Sequence, residues 1–550
     1  MNTQSLFNKL LRLQAARLRM QAAGAPNLYN FPADMNYYFV TRSIPKEFGG
    51  LTRALLRRAK AFGEQAGVKV NVVTFLYNAD ADVRPTMWRL EREGLLNRNY
   101  TTVLNMYDFY RGKMDVPLRK IHHPAAEPGC TLVKHKTRNA YLLFKNGLYV
   151  MFKSYERKDG RLKFIDYIDT QRKRTKREEF NSYGRMHKTI YYDYEQRVNQ
   201  ELFYNSEGHC YLAKWYDIKE EESTINSIHW FSHDGKVHKK FKSEEDMQVY
   251  WLEQLVKREG KHAFVVDNRH MDPIVLKAKG DFYKISLFHS AHIYPPFQPH
   301  SPVKAPYRPI FEELEQVDSM VFLTNVQKQD IAARTGDRDN FFVIPHTYEN
   351  SQPRVPFAQR ALNRAAILAR YSGHKQLDHA IRAFKLALEQ NPNIYLDLYG
   401  HGEEEQKLRN LIDELGVAEN VSLKGFAKDI KQVLETSAFT IITSKSEGFC
   451  LSILESLAHG CPVISYDTKY GPADMIQNGH NGYLVEANNI EELGRRIHQL
   501  FANPNELERL SQGAYDSAQT FNERVFLERW SHLFRTLADR EPASRSAANQ

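Results

Sequence analysis

Two rhythms of apolar and polar positions share this chain. Short β-branched and aromatic runs such as Tyr37–Thr41 (YYFVT) and Val68–Phe75 (VKVNVVTF) read as strands. Between them, GGLTRALLRRAKAFGEQAG repeats its leucines and alanines every three or four residues, the spacing of an amphipathic helix. Strand, helix and strand in alternation predict a parallel sheet covered by helices. From about residue 85 to 262 the rhythm changes to period two. The runs LYVMFKSY, RLKFIDYI, KTIYYDY, HCYLAKWY and NSIHWF sit among the turn signals Lys145–Gly147, Lys158–Gly160, Asn205–Gly208 and His233–Gly235. This texture predicts an antiparallel meander. Several of its strands carry aromatics on both faces, so both faces need cover, from the same domain or from another subunit.

The first rhythm returns with Ala263–Asp267 (AFVVD), KISLFHS, SMVFLT and FFVIPH. It continues from about residue 360 with AAILAR, IYLDLYGHG, VSLKGF, FTIITS, PVISYD and GYLVE. The predicted class is α/β: two doubly wound Rossmann-like domains, with a β-rich antiparallel meander inserted in the first. The expected segments are a basic amphipathic helix over 1–27 and a first domain made of 28–84 and 263–350. An insert follows over 85–262, then a second domain over 351–540 and a polar, disordered tail over 541–550. No G-x-G-x-x-G occurs, and a ligand is expected in the cleft between the strand ends of the two domains.

The length of 550 residues accommodates two or three domains. No run of apolar residues is long enough to span a membrane, and the N-terminus lacks the apolar centre of a secretory signal. Its leucines recur among Arg and Lys at helical spacing. Two readings stay open for it: packing on its own domain, or contact with a membrane surface or a partner. The four cysteines, Cys130, Cys210, Cys450 and Cys461, show no metal-ligand spacing. A cytoplasmic protein without structural zinc follows as the expectation. The formal net charge of +10 favours an anionic partner. Basic clusters lie at Arg174–Arg177 and Lys134–Arg138, either solvated loops or contacts for a polyanion. No nucleic-acid-binding signature accompanies them, so nucleic acid is not expected as a partner.

Candidate chemistry concentrates around EGFCLSILE. A strand (FTIITS) feeds a glycine turn and then the helix LSILESLAHG. Such a junction aims unpaired backbone N–H groups and the positive helix end at whatever lies in front, a place suited to a diphosphate. Glu447 before the turn and Glu455 early in the helix can accept hydrogen bonds from sugar hydroxyls. Gly448, Phe449, Cys450 and Leu451 supply the amides between them. Arg370 ends the strand AAILAR and Lys375 precedes the next helix; together they can clamp a diphosphate and neutralise a leaving group. Gly49 and Gly50, between the first strand and its helix, either let backbone approach a phosphate or sugar or form a plain turn. His289 and His292 (FHSAH) close a parallel strand and are expected to face the cleft, where an imidazole can bind a sugar or move a proton. Asp467, Tyr470 and Gly471 close another strand on that side.

Taken together, RYSGHK, YGHGEEEQKL, VSLKGF, EGFCLSILESLAHGCPVISYD, YGPADMI and NGYLVE resemble the donor domain of the retaining glycosyltransferases of family 4, with the GT-B fold. Glu447 and Glu455 match the two carboxylates of that family's E-x7-E signature, and Arg370 and Lys375 match its diphosphate-binding pair. The resemblance implies that Glu455 holds the ribose and Glu447 contacts the transferred sugar. It also implies that no metal or other cofactor is needed, the UDP-sugar being a co-substrate. EFGGLTRALLRRAKAF, the aromatic meander, FHSAH and LTNVQKQDI (Leu323–Ile331) further resemble one subgroup. That subgroup holds the wall teichoic acid α-glycosyltransferases, acting on poly(glycerol-phosphate) or poly(ribitol-phosphate), and relatives that glycosylate serine-rich adhesins. Transfer of glucose or N-acetylglucosamine from UDP-glucose or UDP-N-acetylglucosamine is thereby implied. The acceptor would be an anionic polymer or, alternatively, Ser/Thr of a serine-rich protein. A homo-oligomer through residues 85–262, peripheral contact with the inner face of the membrane and, less favoured, a non-catalytic binding role complete the expectations.

Overall fold

The computed structural model describes residues 27–46, 48–80, 84–112, 119–219, 222–348 and 354–543. The expected N-terminal basic helix and most of the tail lie outside the described residues. Within them, three sheets carry the architecture.

Seven parallel strands form the first sheet, in the order Phe341–Val343, Ser319–Phe322, Tyr283–Phe288, Lys261–Val266, Met35–Val40, Val70–Thr74, Thr101–Asn105. The first strand of the chain is thus central, and the order reverses between it and Lys261–Val266. Every residue of Tyr283–Phe288 is buried, as expected where helices cover both faces. The second parallel sheet has six strands, ordered Val421–Gly425, Tyr395–Tyr399, Arg364–Leu368, Thr440–Ile442, Val463–Asp467, Gly482–Glu486. Its order reverses between Arg364–Leu368 and Thr440–Ile442. Crevices outside the carboxyl ends of strands at such reversals are where doubly wound sheets bind ligands. The loops carrying Arg370, Lys375 and Glu447 leave from this reversal.

Ten antiparallel strands in chain order, from Thr131–Lys134 to Val237–Phe241, make the third sheet. Its boundary falls later than residue 85. Thr101–Asn105 pairs in parallel with Val70–Thr74 and belongs to the first domain. At the other end, Phe203, Leu212, Ile228 and Phe241 share a core with Trp251 and with Phe264 of the first sheet. The basic run Arg174–Arg177 is neither a loop nor freely solvated, because it opens the strand Arg174–Phe180. Arg177 makes a two-bond fork to Asp166, at 2.7 and 2.9 Å, and covers the Phe164 ring. Arg174 lies 3.8 Å from the centroid of Tyr192. Long cationic stems on aromatic faces let this strand bury its rings while its charges stay paired.

The second domain also ends earlier than residue 540. The helix Glu523–Ala538 crosses back and buries Trp530 and Phe534 against Phe31, Tyr37 and Phe62 of the first domain. Phe534 lies 4.8 Å from Tyr37, edge to face. Apolar residues on one face of this helix find no partner surface in their own domain's sheet, and the first domain supplies it.

Candidate active site

The strand Thr440–Ile442 ends at Thr443, and the chain then turns sharply at Glu447–Cys450 before the helix Leu451–Ala458. Cys450, buried, takes a left-handed conformation (φ 67°) to start that helix. A non-glycine residue held there is strained, a feature that clusters at functional sites. The N–H groups heading the helix have no acceptor within it and face the crevice. Burial pushes the Cys450 thiol up to about 12, so it behaves as an apolar filler. Glu455 lies one turn into the helix rather than in its first turn.

Lys375 and Glu447 meet here, Nζ to Oε1 at 2.5 Å. Burial works against the Lys375 charge, but the neighbouring Glu447 carboxylate outweighs it and holds the ammonium above its ordinary value. Backbone bonds zip their two loops together. Lys445 N–H donates to the His374 carbonyl at 2.9 Å, and Thr443 Oγ1 donates to the Lys375 carbonyl at 2.8 Å. Arg370 is exposed at the edge of the same crevice. Two cations, a helix N-terminus and a carboxylate therefore converge at the strand-order reversal. The arrangement can hold a diphosphate and stabilise charge growing on it.

The other wall comes from the first domain. Gly448 touches it so closely that an added Cβ would lie 1.9 Å from the His289 carbonyl oxygen. A Cβ on Gly50 would lie 3.5 Å from Leu451, whereas Gly49 faces open space. Glu455 accepts from Arg57 of the helix Gly50–Glu64 at 3.0 Å. The Arg57 guanidinium lies 4.6 Å from the Tyr348 ring, and its Nη1 is buried without a partner among the described residues. Lys469 and the Tyr470 hydroxyl both reach Asp330 in LTNVQKQDI, at 2.7 Å each. Gly471 (φ 108°) passes so near Phe449 that a Cβ would meet its carbonyl oxygen at 2.0 Å. Phe449 is buried edge-on to His346.

His289 is held by a buried chain of charges. Its Nε2 lies 2.7 Å from Asp267 Oδ1, and Arg58 Nη2 donates to Asp267 Oδ2 at 2.5 Å. Burial opposes the Asp267 charge, yet Arg58 and His289 outweigh it and keep the carboxyl below its ordinary range. Burial lowers His289 despite Asp267 beside it, and lowers the stacked His346 much further. His292 does not reach the cleft surface. It is fully buried against Tyr307, Phe311 and Tyr470, and neither ring nitrogen has a partner among the described residues. An imidazole so desolvated stays neutral, with its value near 4.

Comparison with known proteins follows the same division. The model of "Glycosyl transferases group 1" matches residues 353–517, and that of "Glycosyl transferase 1 domain A" matches residues 38–233. The chain belongs to the group 1 glycosyltransferases, with the GT-B fold. It is similar to a poly(glycerol-phosphate) alpha-glucosyltransferase of Bacillus subtilis, 29% identical over 94% of this chain and 77% of the relative. A poly(ribitol-phosphate) alpha-N-acetylglucosaminyltransferase of Staphylococcus aureus is 24% identical over 90% of this chain and 99% of the relative. In fold it is similar to the crystal structure of a mutant of S. aureus TarM in complex with Fondaparinux, alpha-GlcNAc-glycerol and UDP. That likeness has a TM-score of 0.78 at 21% identity and covers 91% of this chain and 99% of the other.

Arg57, Arg58, Asp267 and Asp330 escape a reading of the sequence, and Lys469 passes there as loop. Asp267 alone carried a signal, as a carboxylate at the carboxyl end of a parallel strand in AFVVD. The others matter through partners hundreds of positions away.

Proposed function

We propose that this glycosyltransferase moves glucose or N-acetylglucosamine from a UDP-sugar, with retention of the α configuration, to a hydroxyl of a poly(glycerol-phosphate) or poly(ribitol-phosphate) chain. One observation carries the reading: the Lys375–Glu447 pair and the exposed Arg370 stand before the helix N-terminus at the strand-order reversal. An ammonium has three donors, so Lys375 can keep Glu447 and still bind a diphosphate oxygen. As the bond from the sugar C1 to the phosphate oxygen breaks, Arg370, Lys375 and the amides of Gly448–Leu451 take up the charge of departing UDP. The acceptor oxygen bonds to C1 on the same face, and its proton goes to the leaving phosphate. Glu447 lies beside the sugar where positive charge develops, and Glu455 holds the ribose. With the charge met by side chains and amides, transfer needs no bound metal.

The acceptor reading rests on the two relatives matched over nine-tenths or more of this chain, both named for polyol-phosphate polymers. The net charge of +10 suits such a polyanion. Assembly through the meander is part of the proposal, since Leu132, Val133, Leu148 and Val237 stand exposed on it. Work at the cytoplasmic face of the membrane is part of it too; among the described residues no helix is long and apolar enough to cross one.

The test is UDP release from UDP-glucose and UDP-N-acetylglucosamine, each with poly(glycerol-phosphate), poly(ribitol-phosphate) or a serine-rich peptide. Release with a polyol-phosphate polymer, suppressed steeply by salt as counterions compete for the polyanion, is expected. Release with the peptide alone would move the assignment to adhesin glycosylation.

A further inference from the structure

Far from the cleft, two hairpin turns of the meander bring three metal-ligating side chains together. The turn after Val198–Tyr204 carries Glu207 and His209, and the turn after Glu222–Phe231 carries His233. Both turns lie at the same end of the sheet, because the strand Cys210–Lys219 pairs with Glu222–Phe231 between them. Continued past its Leu212–Trp230 pair, that antiparallel ladder sets His209 opposite His233. Their rings lie 4.6 Å apart.

Glu207 Oε2 lies 3.3 Å from His209 Nδ1 and 3.7 Å from His233 Nε2, and all three ligand atoms fall within 4.8 Å of one another. Two ligands on a tetrahedral ion at bond lengths of about 2.0–2.1 Å are separated by about 3.3–3.4 Å. The carboxylate–imidazole spacings therefore approach the edges of such a tetrahedron, and a small closing of the two turns would complete it. The turns are organised by their own side chains. Asn205 Oδ1 accepts from the Glu207 and His209 amides at 3.0 and 2.9 Å. Ser232 donates to Asp234 at 2.5 Å, which keeps that second carboxylate in its own turn. The Cys210 thiol, next in sequence to His209, turns instead onto the Leu212 carbonyl at 3.5 Å.

We propose that Glu207, His209 and His233 form a surface site for a borderline divalent transition ion, Zn2+ being the one whose geometry fits. Two imidazoles and one carboxylate are a common three-ligand set for this ion, with the fourth position left to water or an anionic oxygen. Bound there, the ion ties together two turns that otherwise meet only through strand pairing. Cysteine spacing gives no hint of the site, since its ligands come from two separate turns.

Calorimetric titration of the chelator-treated full chain with ZnCl2 tests this, run beside a His209→Ala/His233→Ala double variant. All three side chains are exposed, so the variant should fold and melt as the unmodified chain does without metal. One saturable equivalent per chain is expected in the unmodified protein and should be missing from the variant. Glu207→Gln should weaken binding at least about tenfold, as loss of even an outer-shell partner does. Added ZnCl2 should raise the melting temperature of the unmodified chain but not that of the double variant. Identical isotherms for the two proteins, or no saturable binding in either, would overturn the proposal.

Discussion

Replacing Arg57 by Ala tests whether the donor site is built by both domains at once. Arg57 belongs to the first domain, yet its guanidinium lies 3.0 Å from the Glu455 carboxylate proposed to hold the ribose. At an effective dielectric constant near 20, two unit charges at that distance attract by about 5.5 kcal/mol. Desolvation offsets most of this, because the side chains retain only 27% and 12% of their exposure. A net of about 1–3 kcal/mol remains, the usual value for a hydrogen bond to a charged group. Truncation should therefore raise the Kd for UDP and the KM for the UDP-sugar by about 5- to 150-fold. The turnover at saturating donor should fall less, since Arg57 stands away from the reacting carbon. Arg57→Lys keeps the charge without the planar fork and should recover part of the loss. A cycle with Glu455→Gln isolates the pair: coupling above about 0.5 kcal/mol is expected if the two side chains act together on UDP. Calorimetry of UDP binding with steady-state kinetics reads all of this. Unchanged UDP affinity in Arg57→Ala, or effects of the two substitutions that simply add, would refute a donor site shared between domains.

Arg370→Ala and Lys375→Ala should each lower kcat about a hundredfold or more, as loss of a charge-stabilising donor does; near-normal rates in both would remove the leaving-group assignment. Glu455→Ala should weaken UDP binding by about 1–3 kcal/mol, whereas Glu447→Gln should leave UDP affinity nearly intact and depress turnover. The reverse pattern would exchange the two roles. His292, held near 4 by burial, stays neutral in the folded chain while the unfolded chain takes up a proton below about pH 6.5. Its contribution is thus complete above that value and lost as pH falls toward 4, about 3 kcal/mol in all. His292→Phe should flatten this part of the stability profile in denaturant melts at pH 7 and 5 and keep activity, whereas His289→Phe should lose it. Superimposable pH profiles for the first variant and the unmodified chain would refute the buried reading.

The second sheet was the most legible part of the chain because each of its strands is a short apolar run closed by its own turn chemistry, and the donor-side residues follow directly on those strand ends. Local order of that kind is written in consecutive residues. The meander was legible as a texture, but Arg174–Phe180 was not, since a strand whose outward positions are Arg, Lys and Glu carries no apolar alternation. Only the neighbouring Phe164, Tyr167 and Tyr192 show why it pairs. His292 misled for a similar reason. A histidine three residues beyond its paired neighbour His289 has the same sequence context, and burial separates them: one finds Asp267, the other only rings. The wall contributed by the first domain was the least legible. Gly448 reads as an ordinary turn glycine, but with φ outside the left-handed region its requirement comes from the His289 carbonyl across the cleft. Likewise Arg57 and Arg58 are neighbours in one helix, and adjacent residues there point about 100° apart. One therefore reaches Glu455 in the other domain while the other turns inward to Asp267. A single helical turn thus links the donor carboxylate to the histidine of the opposite wall.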